Sequence, residues 1–475
     1  MGNFSEQMMC TNEISRRLKG ISTFKWQFLS VVTAGFLGRL IYTLLTVDHA
    51  YDGYSRFIKG IDLLSNPCDL QIHWVWLPLF QYLTAALFWL TRSYVSVRIF
   101  SAVCGTLSLV TIYKLAFAVF KEHKLALMAS SLMALNPLIF IYDTTGMTEA
   151  FFTLLLLSAT YFFVIDRTLL FSLFLGLACL VRYEAWFIAP VFYIFALFQK
   201  RKKPLAIFAA ALIPLFSMFA WLYANHVFYG DALSFVHSLS KYVVSRRQDF
   251  PIISTYLPQE AQYLNLVAIL APLWYIIVFF IFLTPQVFLG AVRGLAKFGK
   301  KNRNTMVLMA IAFSYILLLT LLTVGGLSEG WFRYSMPAMP ILIVYACHYV
   351  VKLKWELKKF VAVTLVSSLI ILFIVSVWNQ NVIQPTIETS DWLRENANEG
   401  NILCVNAPII ILSDLPRDHF IYFWDKNVSQ EYFQQFLASN NIKYVVSEYG
   451  TLSHLNQNST ITFVSRGKLF VIYTM

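Results

Sequence analysis

Charge is scarce in this chain of 475 residues, with Asp, Glu, Lys and Arg together making up 13% of it. A soluble enzyme of this length needs a far more charged surface, so a water-soluble globular protein is excluded. The cysteines build no scaffold. Cys10, Cys68, Cys104, Cys179, Cys347 and Cys404 show no C-x-x-C spacing and mostly fall within or beside apolar runs, which excludes a zinc-ribbon or disulfide framework. No internal repeat is evident, which weighs against transporters assembled from paired halves. A cleavable secretory signal is also missing. The first 25 residues are polar and basic, with Arg16, Arg17, Lys19 and Lys25 ahead of the first apolar run, the pattern of a retained signal anchor with a cytoplasmic amino terminus.

What the chain has in abundance is apolar surface: 58% apolar residues, 17% aromatics and a mean hydropathy of +0.63. This is the composition of a polytopic α-helical membrane protein. Spans are expected at about 27–47, 99–120, 125–142, 150–165, 168–181, 186–199, 205–224, 264–284, 305–324, 335–350 and 360–378, about eleven crossings that leave the carboxyl terminus outside. The basic excess, 37 Lys and Arg against 25 Asp and Glu for a net +12, sits in short tracts between these runs. Lys121 and Lys124, residues 200–203, 293–303 and 352–359 all become cytoplasmic under the positive-inside rule. The charge therefore orients the chain, and nucleic acid is not an expected partner.

One further apolar stretch, 74–90, would reverse every later loop if it crossed, so it is assigned to the first outer loop as a juxtamembrane or re-entrant segment. Three regions result: a cytoplasmic segment, 1–25; a membrane domain, 26–378; and a small extracytoplasmic α/β domain, 379–475. In the last region stretches such as NILCV, IKYVVS and KLFVIYTM alternate with polar turns, and six Lys and Arg stand against nine Asp and Glu.

With that topology the polar breaks at 48–73, 143–149, 182–184, 225–263 and 325–334 share the outer side. The first, VDHAYDGYSRF, places Asp48 and Asp52 about one helical turn apart just past a span, and either could be a reactive carboxylate. The second, IYDTTGMTEAFF, sets Asp143 and Glu149 at a bilayer edge, where acids are costly unless solvated or partnered; a helix cap at Thr148 or Asp143 is the structural alternative. The third, LVRYEAWF, holds Arg182 and Glu184 with scarcely any loop, so they face a wet cavity or form an internal ion pair. The long fourth break carries His237, Lys241, Arg246 and Arg247 and has the size of a lid or binding surface. The fifth puts Arg333 at the head of a span between Trp331 and Tyr334, as a site residue or an interfacial anchor.

The order and spacing of these breaks resemble the GT-C superfamily of glycosyltransferases. DGYSRFIKGIDLL is similar to that family's first outer loop, whose acid matches Asp52, and YDTTGMTEAFF to its second acidic loop, matching Asp143 and Glu149. GLACLVRYEAWF resembles the G-L-A-x-L-x-R-x-E stretch of the members akin to protein mannosyltransferases and the lipid A aminoarabinose transferase, and NHVFYGDALSF and RYSMPAMPIL resemble other recurrent segments of those relatives. The W-W-D-x-G element of oligosaccharyltransferases is absent, and the H-P-P-L-like element is altered to HWVWLPLF, which begins with His73.

The resemblance implies an integral, multi-pass glycosyltransferase of the plasma membrane or an endoplasmic-reticulum-type membrane, with its active site on the extracytoplasmic face. It would move a hexosyl or pentosyl group from a polyprenyl-phosphate donor to a lipid, glycan or protein acceptor. A carboxylate takes the acceptor proton, with Asp52 first and Asp48 in reserve. The phosphate leaving group needs cations, for which Arg182, Arg333, Arg246 and Arg247 are candidates. Asp143, Glu149 and Glu184 orient the acceptor, hold an arginine, or in the case of Asp143 and Glu149 join Asp52 around a divalent ion such as Mg or Mn; His73 supports the site. A lone base without an acid partner implies inversion at the anomeric carbon. A transporter or flippase for a lipid-linked or polar substrate is the alternative, although these charges cluster at span ends and not mid-span.

Overall fold

The computed structural model describes residues 2–198, 204–247, 266–352, 357–397, 399–421, 430–448, 460–465 and 470–474; side chains are described from residue 24 onward, apart from 245–247, 430, 448, 460–464 and 470–474. The architecture is helical, with a five-stranded sheet near the carboxyl terminus. Each apolar run expected to span is carried by helix, but not every one is long enough. Among the described residues, six helices have the length and composition to cross a bilayer: Phe24–Leu45, Val95–Phe120, Pro204–Tyr229, Arg303–Val324, Phe332–Lys352 and Leu357–Asn396. A seventh is added if Ala271–Phe282 and Pro285–Phe298, bent by 117° between them, act together.

The runs at 150–165, 168–181 and 186–199 appear as the shorter apolar helices Glu149–Val164, Thr168–Cys179 and Glu184–Leu197, and 125–142 splits into His123–Ala134 and Pro137–Tyr142. The reason is local. Asn136 accepts from the amide of Ile139 and caps the new helix that Pro137 opens, while polar breaks at 143–148 and 181–183 stop the others. A 14-residue helix rises only about 21 Å, less than the roughly 30 Å of a hydrocarbon core. Among the described residues six helices, or seven with the bent pair, reach that length, and the remaining expected runs are carried by shorter apolar helices.

The first four helices frame the loop that carries the first break. Helix α1 is Gly2–Leu45, α2 is Tyr51–Ser65, α3 is Pro78–Thr91 and α4 is Val95–Phe120. α2 and α3 pack against each other, and α3 is the segment read as part of the first outer loop; at 14 residues it is not among the helices able to cross. α2 is two-faced. Asp52, Arg56 and Lys59 recur at helical spacing on one side, and Tyr54, Phe57 and Ile61 on the other. Its amino end is drawn tightly to the second break, since a Cβ on Gly53 would lie 3.2 Å from the carbonyl of Gly146 and 2.5 Å from the Tyr94 hydroxyl.

At the carboxyl end, the 40-residue helix Leu357–Asn396 runs without a break through position 379, where the composition changes. The sheet begins only at Asn401, in the order β2-β1-β3-β5-β4, with β1 Asn401–Leu403, β2 Phe420–Ile421, β3 Ile442–Glu448, β4 Thr460–Val464 and β5 Phe470–Thr474. β1 is parallel to β2 and β3, and β5 is antiparallel to β3 and β4. Its core of Leu393, Ile402, Ile409, Ile410, Phe420 and Val446 also takes in Ile58 of α2, so burial of apolar area ties the sheet to the first outer loop.

Candidate active site

Four of the five polar breaks meet at one place. Asp52 stands in the first turn of α2, Glu149 at the start of Glu149–Val164, and Glu184 at the start of Glu184–Leu197. Three acids thus occupy helix amino termini, where unpaired N–H groups and the helix dipole favour negative charge. Arg333 enters from a 3₁₀ turn, Phe332–Ala338, held where the Tyr315 hydroxyl donates to the Tyr334 carbonyl at 3.1 Å.

The contacts form a chain of alternating charge. Arg333 Nη2 donates to Asp52 Oδ2 at 2.5 Å, and its Nε lies 3.5 Å from Glu149 Oε1. Glu149 Oε1 accepts from Arg182 Nη1 at 3.0 Å, and Arg182 grips Glu184 through Nη2 at 2.6 Å and Nε at 3.1 and 3.2 Å. Arg182 Nη1 also reaches the Thr148 hydroxyl at 3.3 Å. The internal ion pair expected for Arg182 and Glu184 is therefore present. Access grades along the chain: Glu149 is fully buried, the Arg333 side chain is 15% exposed, and Asp52 is 41% exposed. Asp52 is thus the carboxylate that an incoming molecule meets first.

Arg182 has each nitrogen engaged by a carboxylate, which leaves it a holder of Glu149 and Glu184. Arg333 differs, because its buried Nε makes no hydrogen bond. A second guanidinium with spare donors stands beside it. Arg56, one turn after Asp52, lies with its carbon 4.1 Å from the centroid of Trp76, and its Nε and Nη1 are buried without a hydrogen-bond partner. Burial pushes its pKa down to about 10, against the pull of Asp52 and Glu149. Lys59, one turn further, donates to the carbonyl of Ile72 at 2.6 Å and lies 5.8 Å from the Trp76 centroid. Neither Arg56 nor Lys59 stands out in the sequence, although their spacing of four and seven residues from Asp52 puts all three on one helical face.

His73 closes this side. It is buried in the 3₁₀ turn Leu70–His73, its ring 5.2 Å from that of Tyr82 and 6.0 Å from that of Trp221, and neither nitrogen has a hydrogen-bond partner. Burial, with Lys59 adding to it, holds the imidazole at a pKa of about 4, so it is neutral near pH 7.

Two expected acids are elsewhere. Asp48 is buried, with Oδ1 accepting from the Ala50 amide at 2.8 Å and Oδ2 from the Tyr94 hydroxyl at 2.6 Å and the Gly146 amide at 2.7 Å. It fastens the end of α1 to the second break and has no free edge for an acceptor. Asp143 is buried against Arg39 of α1, with Arg39 Nε and Nη2 both 2.8 Å from Oδ2. It sits beside Gly105 of α4 and pairs with none of Asp52, Glu149, Arg182 or Arg333 in the structure. Arg246 and Arg247 end the helix Ser234–Arg247, and their side chains fall outside the described residues. Asp52, Asp143 and Glu149 do not assemble an oxygen cage: the first and third are bridged by Arg333 and the second pairs with Arg39. Among the described residues no group of three His, Cys, Asp or Glu has the arrangement of a metal site.

Known proteins share a stretch of the sequence and the overall architecture. The family described as dolichyl-phosphate-mannose-protein mannosyltransferase matches residues 76–223, less than half of the chain. A comparison with curated proteins returns no match. Among solved structures, ArnT from Cupriavidus metallidurans bound to undecaprenyl phosphate superposes with a TM-score of 0.60 at 11% identity, covering 94% of this chain and 97% of that one. The apo oligosaccharyltransferase of Archaeoglobus fulgidus gives 0.53 at 14% identity, covering 90% and 70%. A complex of the same archaeal enzyme, AglB, with an inhibitory peptide and a dolichol-phosphate gives 0.50 at 12% identity, covering 90% and 70%. These identities speak for the fold. The chain is a polytopic helical membrane protein whose fold is shared with these solved structures.

Proposed function

We propose that this protein, whose motifs resemble the GT-C superfamily and whose fold is shared with the structures above, is a membrane glycosyltransferase that moves a hexosyl or pentosyl group from a polyprenyl-phosphate donor to an acceptor on the extracytoplasmic face. The observation that carries the reading is the Asp52–Arg333 pair, the accessible end of an otherwise buried charge cluster. The charges suit the donor. Asp52, Glu149 and Glu184 balance Arg56, Arg182 and Arg333, and Lys59 brings the total to plus one, which a phosphodiester's single negative charge neutralises. The neighbouring proteins bound to undecaprenyl phosphate and to a dolichol-phosphate support this donor class.

The reaction then follows from positions. The donor phosphate takes hydrogen bonds from Arg333 and Arg56, the two guanidiniums with spare donors, and its arrival draws Arg333 away from Asp52. The freed carboxylate accepts the proton of the acceptor hydroxyl or amine as that atom attacks the anomeric carbon. The bond from the anomeric carbon to the phosphate oxygen breaks, and the departing phosphate gains a second negative charge where the two cations already point. Glu149 and Arg182 keep Arg333 in place from behind. A single attacking face implies inversion, so a product with retained configuration by NMR would overturn that step.

The test uses purified full-length protein in nanodiscs. Mass spectrometry should find copurified polyprenyl phosphate, and a radiolabelled polyprenyl-phosphate sugar should be transferred or hydrolysed by the wild type. If neither occurs with any polyprenyl-phosphate sugar, and a labelled lipid-linked substrate instead crosses a sealed vesicle, the transporter reading replaces this one.

A further inference from the structure

The side of α2 that faces away from Asp52 borders a cavity. It encloses about 760 Å³ between the end of α1, helices α2 to α4, and the segment Arg394–Arg417 that leads into the outer sheet, within the range of roughly 300–1,000 Å³ typical of small-ligand sites. Its wall from the first outer loop includes Phe57, Ile61 and Phe88, and its opposite wall Ile410, Ile411 and Leu415. None of Asp52, Arg56, Arg182 or Arg333 lines it.

Four arginines border this space, and three of them make hydrogen bonds. Arg98 donates to the carbonyls of Thr144 and Thr46. Arg394 donates to the carbonyls of Ser413 and Leu412 and pairs with Asp391. Arg92 is exposed, its guanidinium over the face of Phe88 at 5.2 Å; Arg417 donates through Nη1 to the Phe420 carbonyl at 3.4 Å and keeps a buried Nε that bonds to nothing among the described residues. On the acidic side Asp48 is saturated by its three donors, Asp62 feels Arg417, and Asp414 is the remaining lining carboxylate. The surface around Arg92 is apolar and open: Leu44, Leu45, Trp89, Leu90 and Val95 are all exposed there.

We propose that this cavity binds one anionic phospholipid of the surrounding bilayer, its phosphate between Arg92 and Arg417 and one acyl chain along Phe57, Ile61, Phe88 and Ile411. Charge complementarity selects the headgroup, and the continuity of the apolar lining with an exposed apolar rim selects an amphiphile over a free anion. The site is independent of the sugar chemistry and shares only the helix α2 with it.

The test measures lipid, not transfer. Full-length protein is purified in detergent, incubated with an equimolar mixture of dioleoyl phosphatidylglycerol and dioleoyl phosphatidylcholine, and weighed intact. The wild type should keep one phosphatidylglycerol in preference to phosphatidylcholine by roughly tenfold or more. Arg92→Gln with Arg417→Gln should lose the preference, and Leu415→Trp, which fills the apolar wall, should lose the adduct. Excess inorganic phosphate should leave the adduct in place. Equal retention of both lipids by the wild type would overturn the proposal, as would a double variant with its preference intact or displacement of the lipid by phosphate alone. Should the double variant not fold, the wild-type comparison and Leu415→Trp still decide.

Discussion

Replacing Asp52 by Asn separates chemistry from architecture more cleanly than any other change in this site. The substitution keeps the shape and removes the charge. Its structural cost is small, because the carboxylate is 41% exposed and is joined to Arg333 by one ion pair. Partly exposed pairs contribute at most about 1 kcal/mol. Its chemical cost is large, since a positioned general base accounts for roughly 10²–10⁴ in rate, or about 3–5 kcal/mol of barrier. Glu149→Gln is the control with the opposite balance. Glu149 is fully buried between Arg182 and Arg333, and removing one partner of a buried pair costs about 3–5 kcal/mol of stability. The assay is turnover of a radiolabelled polyprenyl-phosphate sugar by protein in nanodiscs, with thermal unfolding in parallel. Asp52→Asn should lose turnover at an almost unchanged melting temperature, whereas Glu149→Gln should lose both. Full transfer by Asp52→Asn would refute the assignment of the base, and a large fall in its melting temperature would refute the view that Asp52 is not structural.

Arg56→Met should leave the melting temperature of the donor-free protein unchanged or raised, because burying a cation with unpaired donors costs several kcal/mol, more than the roughly 2 kcal/mol that its stacking on Trp76 returns; the same variant should bind polyprenyl phosphate about tenfold more weakly, read as a lost thermal shift with added lipid. Gly53→Ala should destabilise by about 1–3 kcal/mol, since the new methyl meets the Gly146 backbone and the Tyr94 hydroxyl; an unchanged melting temperature would show that α2 is free to move outward. His73, with a pKa lowered by burial to about 4, binds fewer protons folded than unfolded between that value and 6.5. Its contribution to stability is complete above pH 6.5 and is lost as pH falls towards 4, by at most about 3 kcal/mol. The melting temperature of the wild type should therefore drop over that window more than that of His73→Gln, and parallel curves would contradict it.

Much of the site is legible in the sequence because hydrocarbon makes polar interruptions conspicuous. Asp52, Glu149, Arg182, Glu184 and Arg333 stand out for that reason, and the fold brings them together. Arg56 and Lys59 do not stand out, because they lie in a segment already polar, where only their spacing from Asp52 along α2 marks them. The Arg39–Asp143 pair is out of reach for another reason: its members are 104 residues apart, with no local pattern linking them. Asp48 shows a third limit. Its closeness to Asp52 in sequence suggests a shared duty, yet the chain turns between them and sends one carboxylate into three hydrogen bonds and the other into the open. The helices found are shorter than some expected runs because hydropathy counts apolar residues and does not register the interruptions at Asn136–Pro137 and at the acidic breaks.

The helix Leu357–Asn396 has a practical consequence for anyone dividing this protein into pieces. Along its carboxyl-terminal half Ser376 accepts from the Tyr42 hydroxyl, Gln380 donates to the carbonyl of Val47, and the Thr386 hydroxyl meets that of Tyr51, the residue next to Asp52. A cut at residue 379, where the composition invites one, would sever the helix midway and strip Tyr51 of its neighbour. A cut beyond Asn396 would remove the sheet and keep those three fastenings, so the two truncations would report on different things.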